Sequence, residues 1–202
     1  MTRIGILAYG SLIEDPGKEL EPLIRNHIRS VKTPFPIEFA RSSNSRDGAP
    51  TLIPVEDGGA HVQGVILVLD QSVTVPKAED LVWRRETRDE DTDKRYHHVD
   101  NPGLDKVVIE HLQNLANVET VLFTKIGKNI KKRTPEYLAD LAICSARRKA
   151  GKKQEDGISY LISVNEQGIQ TPLMPEYEAA ILQKTKAQTL KEAYDKIRSG
   201  DA

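Results

Sequence analysis

Ile4-Gly5-Ile6-Leu7-Ala8-Tyr9-Gly10-Ser11-Leu12 is an apolar run that breaks abruptly into Tyr-Gly-Ser. Ile4 to Ala8 predicts a short buried strand. Gly10 and Ser11 then predict a sharp turn whose small side chains leave backbone N–H groups open to a ligand such as an anion. The same spacing also fits a strand ending in an ordinary Gly-Ser turn, so any chemistry assigned to it needs support from elsewhere in the chain.

The 202 residues suffice for one good core, and one domain with an appended helical piece is expected rather than two independent domains. A hydrophobic share of 38% and a charged share of 29% suit a soluble globular chain. No segment approaches a spanning length, and Gly5, Tyr9 and Gly10 interrupt the start, so no secretory signal or membrane partner is expected. The single cysteine, Cys144, has no internal disulfide partner and no companion at zinc-ligand spacing, which fits a reducing cytoplasm. Net charge is −1, yet the stretch Lys125 to Lys153 is locally basic. Nucleic-acid binding through 125–153 is therefore one reading, against the commoner one of solvated helix faces.

Outward from the turn, Leu20, Leu23, Ile24, His27, Ile28 and Val31 form a stripe at helical spacing that ends at Thr33-Pro34-Phe35-Pro36. Ile37 to Arg41 and Thr51 to Val55 predict strands around the polar loop Ser42 to Gly48, and His61 to Leu69 predicts a third. Short strands joined by Gly-rich turns argue for an antiparallel barrel rather than βαβ repeats. A second helical stripe, Leu104 to Leu115, follows Asn101-Pro102-Gly103, and Glu119 to Ile126 alternates like a further strand.

Between these segments, Val73-Thr74-Val75-Pro76 opens a helix with apolar Ala78, Leu81 and Val82. Four residues past Leu81 and Val82 come Arg85 and Glu86, so the face expected to be buried continues as a cation and a carboxylate. A carboxylate there is either paired, with Arg85 or Arg84 at hand, or held in a cavity that favours its protonated form. Thr87 to Asp100 reads as a solvated charged loop carrying Tyr96-His97-His98. The remainder is helical: Thr134-Pro135-Glu136 starts one helix, Ile158 to Ile162 a short one with a strand hairpin as the alternative, Pro175 to Gln183 another, and Thr189-Leu190-Lys191-Glu192 fits a capping box opening the last.

Taken in order, Tyr9-Gly10-Ser11-Leu12, the Arg46-Asp47-Gly48 to Val55 turn and strand, Gly64-Val65, and Arg84-Arg85-Glu86 resemble the γ-glutamylcyclotransferase-like superfamily, which includes γ-glutamylamine cyclotransferase-like proteins. The resemblance covers residues 1–126. Residues 127–202 look like the helical extension of longer bacterial members. It implies an α+β fold, a small mixed and mainly antiparallel β-barrel flanked by helices, with the α-helical C-terminal extension packed on it. It implies Glu86 as the acid/base and Tyr9, Gly10, Ser11 and Leu12 as one wall of the substrate pocket, with Tyr96 as an aromatic cap. The reaction would cyclise a γ-glutamyl amine or peptide to 5-oxoproline and release the amine, with no metal and no cofactor. The alternatives are a non-catalytic small-molecule-binding module on the same fold and, last, nucleic-acid binding. A homo-oligomer is compatible with the extension, and the identity of the leaving amine is left open.

Overall fold

Strands and helices alternate irregularly along the chain. The computed structural model describes residues 3–200. In order they form β1 (Ile4–Ala8), α1 (Ser11–Glu14), β2 (Ile24–Lys32), β3 (Ile37–Ser43), β4 (Ala49–Pro54), β5 (Gln63–Leu69), α2 (Val75–Thr87), β6 (Val108–Leu115), β7 (Val118–Lys125), α3 (Pro135–Arg147), α4 (Lys149–Lys152), α5 (Gly157–Glu166), α6 (Met174–Thr185) and α7 (Leu190–Ser199). The class is α+β, with a mainly antiparallel sheet and helices around it. No described helix is long and apolar enough to cross a membrane.

The chain divides into two units. The first comprises the residues up to Thr33 together with Gln63–Gly127. Its five strands are ordered β2-β5-β1-β7-β6. β1 lies at the centre, antiparallel to β5 and parallel to β7, and every one of its residues is buried, as its uninterrupted apolar run requires. Ile4, Ile6 and Ala8 share a core with Val65, Leu67 and Leu69 of β5, Leu122 of β7, and Ala78, Leu81 and Val82 of α2. At the edge, β6 and β7 form a hairpin closed by Ala116 and Asn117, with φ of 50° and 62°. Two consecutive left-handed residues match the right-handed strand twist.

The second unit comprises Pro34–Val62 and the residues from Lys128 on. β3 and β4 pair with each other, and α5 lies so close to β4 that a Cβ on Gly157 would stand 3.2 Å from Pro50 Cδ. Phe39 of β3 meets the rings of Tyr160 and Tyr177 edge-on, with centroids 6.1 and 5.2 Å away. Beside it, Glu38 is fully buried and accepts hydrogen bonds from Phe39 N at 2.8 Å, Thr171 Oγ1 at 2.6 Å and Leu173 N at 3.1 Å. Those bonds tie the strand to the approach to α6. Thr134, Asp156 and Thr189 cap α3, α5 and α7, each accepting from first-turn N–H groups.

Three expectations are corrected. The strands do not close into a barrel: among the described residues the larger sheet ends at β2 and β6, and β3–β4 is a separate two-stranded sheet. Pro34 and Pro36 interrupt the chain between β2 and β3, and five strands fall short of the roughly eight that enclose a side-chain-filled barrel. Leu20 to Val31 is not a helix but a 3-10 turn running into β2, and Leu104 to Leu115 is a loop running into β6. By their contacts, β3 and β4 fall in the unit that holds the helices after residue 127.

Candidate active site

β1 ends at Ala8, and the chain turns at Gly10, whose φ of 63° and ψ of −137° suit glycine rather than a residue with a Cβ. Gly10 precedes the single turn of α1, in which Ile13 N donates to Gly10 O at 3.1 Å and Asp15 N to Ser11 O at 2.9 Å. No side chain caps this turn. Within it, the N–H groups of Ser11 and Leu12 lie too early to find a helical acceptor. Leu12 is buried in the core beneath the turn, whereas Tyr9 and Ser11 are half-buried. Leu12 therefore anchors the turn, and Ser11 presents it.

α2 supplies the carboxylate. Thr74 caps it, accepting from Lys77 N, and Pro76 sits in its first turn. The inward stripe of Ala78 and Leu81 continues three residues on to Arg84, which is 4% exposed, so the apolar face ends on a buried guanidinium. Arg84 is satisfied by Glu19, with Nε–Oε2 at 2.8 Å and Nη2–Oε1 at 2.9 Å, and by Lys94 O at 2.9 Å. Its hydrogen bonds hold the Glu19 carboxyl below the usual carboxylate range. This bidentate pair was invisible in the sequence, because nothing local links position 19 to position 84.

Arg85 points the other way. Its Nε and Nη2 donate to Asp15 O at 3.0 and 2.6 Å, Nη2 also reaches Ser11 Oγ at 3.4 Å, and Nη1 donates to Glu86 Oε1 at 2.7 Å. One guanidinium thus stands between the Ser11 hydroxyl and the Glu86 carboxylate. The side chains of Arg85 and Glu86 are 12% and 24% exposed, largely shielded from solvent. Of the two settings open to Glu86 from the sequence, the structure shows the ion pair. Its second oxygen, Oε2, makes no hydrogen bond among the described residues and is the atom with unused capacity to accept a proton.

Tyr96 lies in the loop between α2 and β6. Its N–H donates to Asp80 Oδ1 at 2.7 Å, well before Glu86 on α2, and its hydroxyl accepts from Ile109 N at 3.1 Å and lies 3.2 Å from His98 Nδ1. The ring packs against the core of the first unit, and burial raises the phenol's proton affinity. It joins α2 to β6, and among the described residues no hydrogen bond links it to Ser11, Arg85 or Glu86. Past it lies an open cleft of about 300 Å³ lined by residues including His98, Lys106, Val108 and Lys125. Among the described residues no group of three or more His, Cys, Asp or Glu side chains is placed to hold a metal ion. Arg147, Arg148, Lys149, Lys152 and Lys153 of the basic stretch are solvent-exposed around the end of α3 and α4.

No protein-family model matches the sequence, and no curated protein matches it. Among solved structures, the chain is similar over its full length, and over the full length of that chain, to a γ-glutamyl cyclotransferase specific to glutathione from yeast, at 13% identity and a TM-score of 0.48.

Proposed function

We propose that the protein is a γ-glutamylcyclotransferase-type enzyme that converts a γ-glutamyl amine or peptide into 5-oxoproline and the released amine. The observation that carries this reading is the meeting of Ser11 and Glu86 on the Arg85 guanidinium. It brings the turn and the carboxylate of the motif resemblance within one side chain's span, although 74 residues separate Ser11 from Arg85.

The reaction has two obstacles. The attacking α-amine is protonated at neutral pH, and the amide nitrogen leaves poorly. Glu86 Oε2 accepts a proton from the α-ammonium. The nitrogen then attacks the γ-carbonyl carbon, forming the lactam C–N bond; the same carboxyl delivers the proton to the departing nitrogen as the original amide C–N bond breaks, and the second proton lost by the ring nitrogen leaves on the released amine as its ammonium. Substrate equals 5-oxoproline plus amine, with no water consumed and no redox change. Amine and carbonyl belong to one molecule, so binding in a folded conformation supplies the proximity. The uncapped N–H groups of the Gly10–Leu12 turn are suited to the oxygen that gains charge as the tetrahedral centre forms.

The test is incubation of the purified protein with a panel of γ-glutamyl amino acids, γ-glutamyl amines and glutathione, with 5-oxoproline followed by chromatography. The best substrate is expected to lose about 10²- to 10⁴-fold in kcat on Glu86→Gln, the range for removal of a general acid/base. A folded Glu86→Gln protein with unchanged 5-oxoproline release ends the assignment. Saturable binding of panel members without product by the unmodified protein would identify a binding module instead.

A further inference from the structure

Resting on the cyclotransferase reading, we propose that Arg85 and Glu86 together recognise the amino-acid head of the substrate. Arg85 Nη1 takes the α-carboxylate while Glu86 Oε2 takes the α-ammonium that becomes the nucleophile.

The hydrogen-bond inventory carries the argument. A guanidinium has five N–H groups in a rigid fork. In Arg85, Nε–H goes to Asp15 O, the Nη2 hydrogens face Asp15 O and Ser11 Oγ, and one Nη1 hydrogen goes to Glu86. The Asp15 carboxylate lies a further 3.8 Å from Nη2 and is mostly exposed. That leaves one Nη1–H without a protein acceptor among the described residues, next to a Glu86 oxygen without a donor. An unused donor on a cation and an unused acceptor on an anion therefore sit side by side, with their parent charges 2.7 Å apart. A γ-glutamyl compound carries the complementary pair, carboxylate and ammonium, on a single carbon.

The two residues are also held differently. Arg85 is anchored by the Asp15 carbonyl independently of Glu86, so it keeps its position when the carboxylate turns towards a ligand. Binding the α-carboxylate on the guanidinium leaves the turn N–H groups for the γ-carbonyl oxygen. It also points the ammonium at the carboxylate that must deprotonate it.

The experiment compares two substrates with the same leaving amine, a γ-glutamyl amide and its 4-aminobutyryl counterpart, which differ only in the α-carboxylate. Both can cyclise, the second to 2-pyrrolidinone. The unmodified protein should prefer the γ-glutamyl amide by about 10- to 100-fold in kcat/KM, the size of one hydrogen bond to a charged group. Arg85→Gln should fall further on the γ-glutamyl amide than on its counterpart, collapsing the preference to within about threefold, while Arg85→Lys should keep part of it. Equal turnover of both substrates by the unmodified protein overturns the proposal without any variant being made. An equal loss on both substrates in a folded Arg85→Gln overturns it as well, because a merely structural arginine would behave that way. Formation of neither lactam by the unmodified protein overturns the cyclotransferase reading itself.

Discussion

Removing either partner of the Arg84–Glu19 pair should destabilise the sheet unit, and the two removals should differ. Arg84 keeps 5% of its side chain exposed and Glu19 keeps 20%, so the guanidinium is the costlier group to leave unpaired. Truncating one partner of a buried ion pair costs about 3–5 kcal/mol. Glu19→Ala, which strands Arg84 with only the Lys94 carbonyl, is expected near the lower end, about 3 kcal/mol. Arg84→Met leaves a one-fifth-exposed carboxylate that can regain water, so its cost falls to about 2 kcal/mol, the scale of a lost hydrogen bond to a charged group. At roughly 2–4 °C per kcal/mol for a chain of this size, the melting transition should fall by about 6–12 °C for Glu19→Ala and about 4–8 °C for Arg84→Met. The pH dependence supplies a second reading. Arg84 lowers the Glu19 carboxyl's pKa on folding, so the pair's contribution is fully present above the unfolded carboxyl's pKa, about 4.3, and is lost as pH falls through the lower folded value. The gap between the unmodified protein and Arg84→Met should therefore be constant from about pH 7 to 5 and shrink towards about pH 3. Circular-dichroism melts across that range measure both quantities. A gap under about 1 °C at pH 7, or one unchanged on acidification, would refute the assignment of stability to this ion pair.

Gly10→Ala should force a Cβ into a backbone conformation that suits glycine, costing about 1–3 kcal/mol in denaturant unfolding and lowering any 5-oxoproline release through displacement of Ser11. A variant that keeps full stability and activity would show that the turn adopts another conformation. Tyr177 places its hydroxyl in the interior of the second unit with no hydrogen-bond partner among the described residues. Tyr177→Phe is expected to be neutral or to stabilise by up to about 1 kcal/mol, and a clear loss in the urea midpoint would reveal a partner for that hydroxyl.

The sequence was most readable where one rule acted alone. β1 follows from its apolar run, α2 from the Thr74-Val75-Pro76 start, α3 from the Thr134-Pro135 start, and α7 from Thr189, whose hydroxyl accepts from Glu192 N as a capping residue should. β2 and β6 misled because apolar residues in each fall at i, i+4 and i+7: Ile24, Ile28 and Val31 in one, Val108, Leu112 and Leu115 in the other. In β2 the cause is two register shifts, between Ile24 and Asn26 and between Ile28 and Val31, which reset the strand's two-residue period until it imitates a helical one. β6 is an edge strand whose outer residues are only partly covered, and its hairpin turn is Ala-Asn rather than a glycine-bearing pair. At the site, the local sequence placed Arg85 beside Glu86 but could not show that Arg84, one residue earlier, takes the inward position, since an i+3 step and an i+4 step from Leu81 are equally helical. For Tyr96 the resemblance implied a role but no position: the path of its loop is set by Asp80 and Ile109, long-range contacts with no local signal.

The central position of β1 bears on how the protein is made. Ile4 pairs with Thr120 and Gly5 with Val68, so β1 gains its second neighbour only after the rest of the sheet unit has been synthesised. Until then its entirely apolar segment has an open edge, and the Gly10 turn that depends on its end has no fixed frame. Pairings this distant in sequence slow folding because loop closure precedes the contacts that reward it. A chain stalled short of residue 118 would expose the very strand that the finished protein hides most completely, making truncated products of this gene natural clients for chaperones that bind extended apolar segments.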